Sequence, residues 1–156
     1  MEETFMSQQD NNLETIPVGS LGIIAQESSR ELGEKVNDYI VKWRNDRESE
    51  HAGNIVFKGY KRNSYLVDAT CPRFGSGEAK GYIRESVRGS DIYILLDVCN
   101  YSLTYSVCGH TNHMSPDDHY QDLKRIIAAI GGKARRITVI MPFLYESRQH
   151  KRSARE

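Results

Sequence analysis

The sequence predicts an α/β domain built on a mainly parallel central sheet flanked by helices. Three observations carry that prediction. Short apolar runs rich in strand formers alternate with stretches at helical spacing. The run "SDIYILLDV", residues 90–98, is almost continuously apolar, as in a central strand covered on both faces. A glycine-punctuated segment after residue 74 reads as a projecting β-hairpin.

Each element follows in order. "LGIIA", residues 21–25, fits a short buried strand. "ESSRELGEKVNDYIVKWR" then changes to helical spacing, with Leu32, Val36, Tyr39 and Trp43 on one stripe and Ser28 with Glu31 spaced as a capping box. Residues 45–54 are polar and read as a surface loop. "SYLVDATCPRF" is rich in strand formers until Pro72 interrupts the ladder. The hairpin "GSGEAKGYIRESVRG" leads into the central strand. Ser115 is placed as an N-cap, Pro116 sits where its missing N–H does no harm, and Asp117 and Asp118 favour the positive helix end. Leu123, Ile127 and Ile130 mark the buried stripe of that second helix, and Gly131 with Gly132 stops it. "RRITVIMPF" gives a further buried strand. Residues 1–18 lack periodicity and read as a flexible arm, leaving 19–156 as the domain.

Composition narrows the class. The 156 residues match one domain, and 21 basic against 21 acidic side chains leave no global positive excess of the kind that marks nucleic-acid or anionic-membrane binding. Any anion site must be local. Three cysteines without dense spacing fit a reducing, cytoplasmic compartment better than a disulfide framework. The acidic, polar start is unlike a signal peptide, and no run approaches the ~18 to 20 apolar residues of a membrane span, so a soluble protein is expected.

Ligands of open parallel α/β sheets bind beyond the carboxyl ends of the strands, and Arg148 with Gln149 follows such an end. Arg offers a planar fork for phosphate and Gln a donor and an acceptor, which suits a nucleotide; a solvated basic loop is the plainer reading. In "RFGSGEAKGYIRESVRG", Phe74 can stack on a flat base, Ser76 and Glu78 can bond its polar edge, and Ser86 with Arg88 can hold an anion. A hairpin with wet charges explains the same residues. Cys99, Cys108, His110 and His113 invite a zinc reading, but their spacing is unlike a CxxC knuckle, and ordinary thiols are the simpler account. Asp117 and Asp118 as magnesium ligands compete with their place in a helix first turn, which already explains them. Nothing resembles a nucleophile elbow, a Walker A loop or a Rossmann glycine fingerprint.

Taken together, "RFGSGEAKGYIRESVRGSDIYIL", "DDHYQDLKRIIAAIGGKARRITVIMPF" and "YESRQHKRSARE" resemble the amino-terminal half of the ribose-phosphate pyrophosphokinase family, from about Leu21 onward. The family's Phe, Gly-Glu and Glu-Ser-Val-Arg-Gly positions are Phe74, Gly77, Glu78 and residues 85–89. Its Tyr-Ala-Arg-Gln turn stands here as Tyr145 to Gln149 with one residue inserted. Further departures are Ser76 for an Asn, His150 for an Asp, and the longer segment "DVCNYSLTYSVCGHTNHMSPDD" between strand and helix.

The resemblance implies a phosphoribosyltransferase-like fold and transfer of the diphosphoryl group of ATP to ribose 5-phosphate, assisted by magnesium. It implies that Phe74, Ser76 and Glu78 hold adenine from one subunit while Arg148 and Gln149 contact ATP from its neighbour, so that the site requires self-association. Ser86 and Arg88 would match an effector phosphate site. The family's metal-binding histidine, catalytic lysine loop and acidic ribose 5-phosphate loop lie later in its chain, so this stretch is expected to be an amino-terminal domain without activity of its own. The rival expectations are a non-catalytic synthetase-associated partner and a pure oligomerisation module.

Overall fold

The computed structural model describes residues 17–48, 62–148 and 151. The sheet at its centre is parallel, with strands β1 (Leu21–Ala25), β4 (Asp91–Leu95) and β7 (Arg136–Ile140) in the order β1-β4-β7. β1 and β4 pair from Leu21↔Asp91 to Ala25↔Leu95, and β4 and β7 from Asp91↔Arg136 to Leu95↔Ile140. On the far side of β1, Ile23 bridges Leu66 in parallel, so the chain at 65–67 runs alongside as a short extra strand.

Alternation along β4 divides the core in two. Ile92, Ile94 and Leu96 join Ile24 and Val98 beneath helix α2 (Pro116–Ile130), against Leu123, Ile126 and Ile130. Leu95 turns the other way and meets Ile23 and Tyr65 beneath helix α1 (Arg30–Glu48), where Val36 and Ile40 pack. Each fully buried Ile or Leu contributes about 1.5–3 kcal/mol over its exposed state, which makes these side chains the main drive for closing helices onto the sheet. The α2 stripe therefore runs through Ile126, not Ile127, which is 38% exposed.

α2 begins as its sequence requires. Ser115 accepts from the Asp118 backbone N–H while the Asp118 carboxylate accepts from the Ser115 N–H, Pro116 occupies the first turn, and Gly131 ends the helix in the left-handed region at φ 58°. α1 departs from expectation. Residues 27–29 form a 3-10 turn, and the Ser28 hydroxyl accepts from the Asp97 N–H at 3.2 Å, tying the helix entry to the end of β4 in place of a capping box with Glu31. Its buried face is also different: Leu32, Tyr39 and Trp43 are exposed, while Gly33 and Asn37 are buried. The packed face lies one residue, about 100°, round the helix. Gly33 allows a closer approach to Ala25 than any side chain would, and Asn37 accepts from the Tyr65 N–H at 2.7 Å.

Two antiparallel hairpins complete the fold. β2 (Ala69–Thr70) pairs with β3 (Tyr82–Ile83), extended toward its tip by the Arg73↔Ala79 bridge. Its root is laid on α2 so tightly that a Cβ on Gly81 would sit 2.2 Å from the Arg125 carbonyl oxygen, so only the tip projects. β5 (Thr104–Val107) pairs with β6 (His110–His113) in the segment that departs from the family pattern, a hairpin not expected from the apolar pattern of that segment. Its two-residue turn, Cys108 at φ 49° and Gly109 at φ 83°, has the sign pattern of a type I′ turn, with a cysteine where Asn or Asp is usual. β7, expected to be buried, borders the described sheet, and Val139 and Ile140 are exposed.

Candidate functional site

All three sheet strands point their carboxyl ends the same way, and so does the segment at 65–67 that leads into the β2–β3 hairpin. The hairpin tip and the loop after β7 therefore lie at the carboxyl end of the sheet. Ser86 and Arg88 precede β4 and lie at its amino end, so parallel topology separates this pair from the other candidates. Gln149 lies outside the described residues.

The tip is a closed loop. The Phe74 N–H donates to the Glu78 carbonyl at 2.7 Å and the Gly77 N–H to the Phe74 carbonyl at 2.9 Å, with Gly77 at φ 88° where a Cβ would be strained. Phe74 is 52% exposed, and the Ser76 hydroxyl donates to the Glu78 carboxylate at 3.0 Å. An apolar ring and a short polar pair thus stand side by side on a turn. Behind the tip, Arg73 donates to buried Asp122 of α2 at 2.9 Å, and Arg125 shares that carboxylate. Burial raises the Asp122 carboxyl above the usual aspartate range, with the two guanidinium groups pulling the other way.

Beyond β7, the chain is pinned before Arg148. Tyr145 stacks on Tyr120 of α2 with ring centroids 4.2 Å apart and planes 10° from parallel, and its hydroxyl donates to Asp117. That hydrogen bond, with burial adding, pushes the Tyr145 phenol up to about 12. Arg148, exposed, follows on this anchored turn. No local pattern marks this anchor, because Tyr120 and Tyr145 are far apart along the chain and the turn pattern that contains Tyr145 says nothing of a ring partner on α2.

Before β4, the Arg88 N–H approaches the Ser86 hydroxyl at 3.5 Å and both side chains are exposed on either side of buried Val87. The Gly89 N–H donates to the Lys133 carbonyl, which joins this turn to the end of α2.

Among the described residues, two of the cavities that open in the surface flank the sheet. One of about 240 Å³ lies between the two hairpins and α2, bordered by Gln26, Cys71, Arg73, Tyr105 and His119; the Gln26 Nε2 is buried without a hydrogen-bond partner among the described residues. The other, about 620 Å³, lies between α1 and the face of β4 and β7 that carries Tyr93 and Leu95. Phe74, Ser76, Glu78, Ser86, Arg88 and Arg148 line neither. Among the described residues no group of three or more His, Cys, Asp or Glu side chains is placed to hold a metal ion, and Asp117 and Asp118 serve Tyr145 and Ser115. No described helix is long and apolar enough to cross a membrane.

The parallel sheet, its flanking helices and the flag-like hairpin define a phosphoribosyltransferase-like α/β domain whose exposed candidate residues sit on loops outside the cavities. A family model described as the N-terminal domain of ribose phosphate pyrophosphokinase matches residues 21–156, and the chain belongs to that family. Among curated relatives it is 35% identical over 85 residues to ribose-phosphate pyrophosphokinase 1 of Schizosaccharomyces pombe, covering 54% of this chain and 17% of that protein. It is 36% identical over 88 residues to the ribose-phosphate pyrophosphokinase of Vibrio cholerae, covering 56% and 24%. Against that of Haemophilus influenzae it is 34% identical over 107 residues, covering 65% and 30%. The chain spans less than a third of the length of these relatives.

Proposed function

We propose that this chain supplies the nucleotide-binding half of an enzyme that transfers the diphosphoryl group of ATP to ribose 5-phosphate. The observation that carries the reading is the hairpin tip: within a family match that spans residues 21–156, Phe74, Ser76 and Glu78 stand exposed together on a closed loop at the carboxyl end of the sheet. Phe74 stacks on adenine and the Ser76–Glu78 pair bonds its polar edge, while Arg148 and Gln149 of a neighbouring subunit meet the phosphates. A site divided between copies is in keeping with described candidate residues that line neither of these two cavities. Self-association is therefore part of the function.

Such transfer depends on aligned oxygens and offset negative charge more than on covalent chemistry. Magnesium enters as the ATP complex, in keeping with its preference for substrate phosphates and water. Ser86 and Arg88 bind an effector phosphate at the other end of β4, and the protein works in the cytoplasm. On its own the 156-residue chain binds ATP weakly and makes no product.

Calorimetric titration of MgATP tests the nucleotide assignment. Arg148→Ala and Phe74→Ala are each expected to weaken binding by about tenfold, the cost of one charged hydrogen bond or one aromatic contact. Unchanged affinity in both would remove these residues as ligands. A second reading, a non-catalytic synthetase-associated subunit, is favoured by the Ser76–Glu78 bond, which ties the adenine-edge groups to each other. It predicts that the chain alters the rate of an active synthetase while binding no ATP itself.

A further inference from the structure

We propose that the β5–β6 hairpin is a brace that holds the Phe74–Glu78 loop in its binding conformation, with Tyr105 and Val107 as positioning residues. The inference rests on the nucleotide reading above and deepens it.

Contacts between the two hairpins run the length of the loop. At the tip, the Cys108 N–H donates to the Gly75 carbonyl at 3.1 Å. In the middle, a Cβ on Gly77 would lie 2.9 Å from Val107 Cγ2 and 3.7 Å from Tyr105 Cε2, so the bare Gly77 backbone rests on those two side chains. They stand two residues apart on β5 and share one face of it. At the root, the Arg73 guanidinium lies over the Tyr105 ring at 4.7 Å, and the Tyr105 hydroxyl reaches Asp118 at 3.4 Å. One strand thereby touches the loop from Arg73 to Gly77 and fixes itself to the start of α2.

A five-residue loop with glycines at 75 and 77 has wide conformational freedom when unsupported. Its two internal hydrogen bonds close the turn without fixing the direction in which the turn leans from the hairpin root. The brace supplies that direction, and a loop already held in place pays less ordering entropy when a base stacks on Phe74. Tyr105 and Val107 act on the loop alone in this proposal and are assigned no contact with the nucleotide.

The test uses the whole protein, with Val107→Ala, a Tyr105→Leu/Val107→Ala double variant, the shape-conserving Val107→Thr, and Phe74→Ala as a control on the site. Amide hydrogen exchange at Phe74 and Gly77 reads the loop directly, and MgATP titration reads its consequence. The brace predicts faster exchange in both trimmed variants and a Kd for MgATP raised about threefold to tenfold, the effect of ordering one or two freed residues on binding. Val107→Thr restores both to wild-type values. Wild-type exchange and Kd in the double variant, with Phe74→Ala still weakening ATP, overturn the brace and leave the nucleotide reading standing. If Phe74→Ala leaves ATP binding intact, the nucleotide reading fails, and exchange alone then decides whether the loop is braced. Should the double variant lose its fold, seen as a collapsed melting transition, Val107→Ala alone decides by the same two readouts.

Discussion

Two side chains show how environment overrides residue type. Burial, reinforced by the Asp122 carboxylate, pushes the Cys71 thiol up to about 12, whereas Cys99 and Cys108 are exposed. Since the thiolate is the reactive form, a disulfide-exchange reagent at pH 8 should label Cys99 and Cys108 rapidly and Cys71 only after unfolding. Equal rates for all three thiols would contradict the packing of Cys71 against α2. Asp118 is the second case: burial alone would raise its carboxyl, but the backbone and hydroxyl bonds from Ser115, with Arg73 and Tyr105 adding, hold it below the usual aspartate value. Its stabilising effect is therefore complete above the ordinary aspartate range and is lost as pH falls through the lowered folded value. Asp118→Ala should cost about 1 kcal/mol near neutral pH, the usual worth of an N-terminal cap. Urea titrations should find that difference shrinking as pH falls below the ordinary aspartate range, where the unfolded chain's carboxyl protonates before the folded one. A cost independent of pH from 7 to 2 would exclude the capping account.

The hairpin and α1 pose the corresponding problem for elements. The β2–β3 hairpin is held by backbone proximity at its root and by side chains nearer its tip, so neighbouring glycines carry different constraints. Gly81 faces the Arg125 carbonyl at a distance that admits no Cβ, whereas a Cβ on Gly75 would meet nothing within 4 Å. Gly81→Ala should thus destabilise by about 1–3 kcal/mol through overpacking. Gly75→Ala should be neutral or stabilising by up to about 1 kcal/mol, because it narrows only the unfolded ensemble. Paired thermal melts check the contrast, and equal losses at both positions would mean that the hairpin is not seated on α2. In α1 the apolar periodicity identified a helix, and a helix forms, but its sheet-facing side is chosen by Gly33 and Asn37. Closest approach and a buried hydrogen bond outweigh the larger apolar side chains of Leu32 and Tyr39, which stay exposed.

At the level of the whole molecule, the sheet places the hairpin tip and Arg148 at one end and Ser86 with Arg88 at the other. Within one chain, a ligand at the second pair would be separated from the hairpin tip by the length of the sheet. The purified chain, given ATP, magnesium and ribose 5-phosphate, is expected to form no phosphoribosyl pyrophosphate above blank. Product at a measurable rate would show that residues 1–156 already contain the whole machinery.

How far the sequence could be read depends on how local each signal is. The strands at 21–25, 91–95 and 136–140, both helices and the Ser115–Asp118 cap were legible because apolar period, cap chemistry and glycine stops act within a few residues. The candidate loop residues were legible as chemistry and, through the family pattern, as positions. The β5–β6 hairpin, the Tyr120–Tyr145 stack, the Ser28–Asp97 tie and the buried face of α1 became visible only in three dimensions. Each pairs groups that are distant along the chain or of a type that carries no local code. Chain-local patterns thus determined the two helices and the three strands of the central sheet, and which family the chain resembles. Tertiary packing alone decided which faces are buried, what supports the Phe74 loop and which candidates share an end of the sheet, because those outcomes depend on close approach between segments that no local pattern encodes.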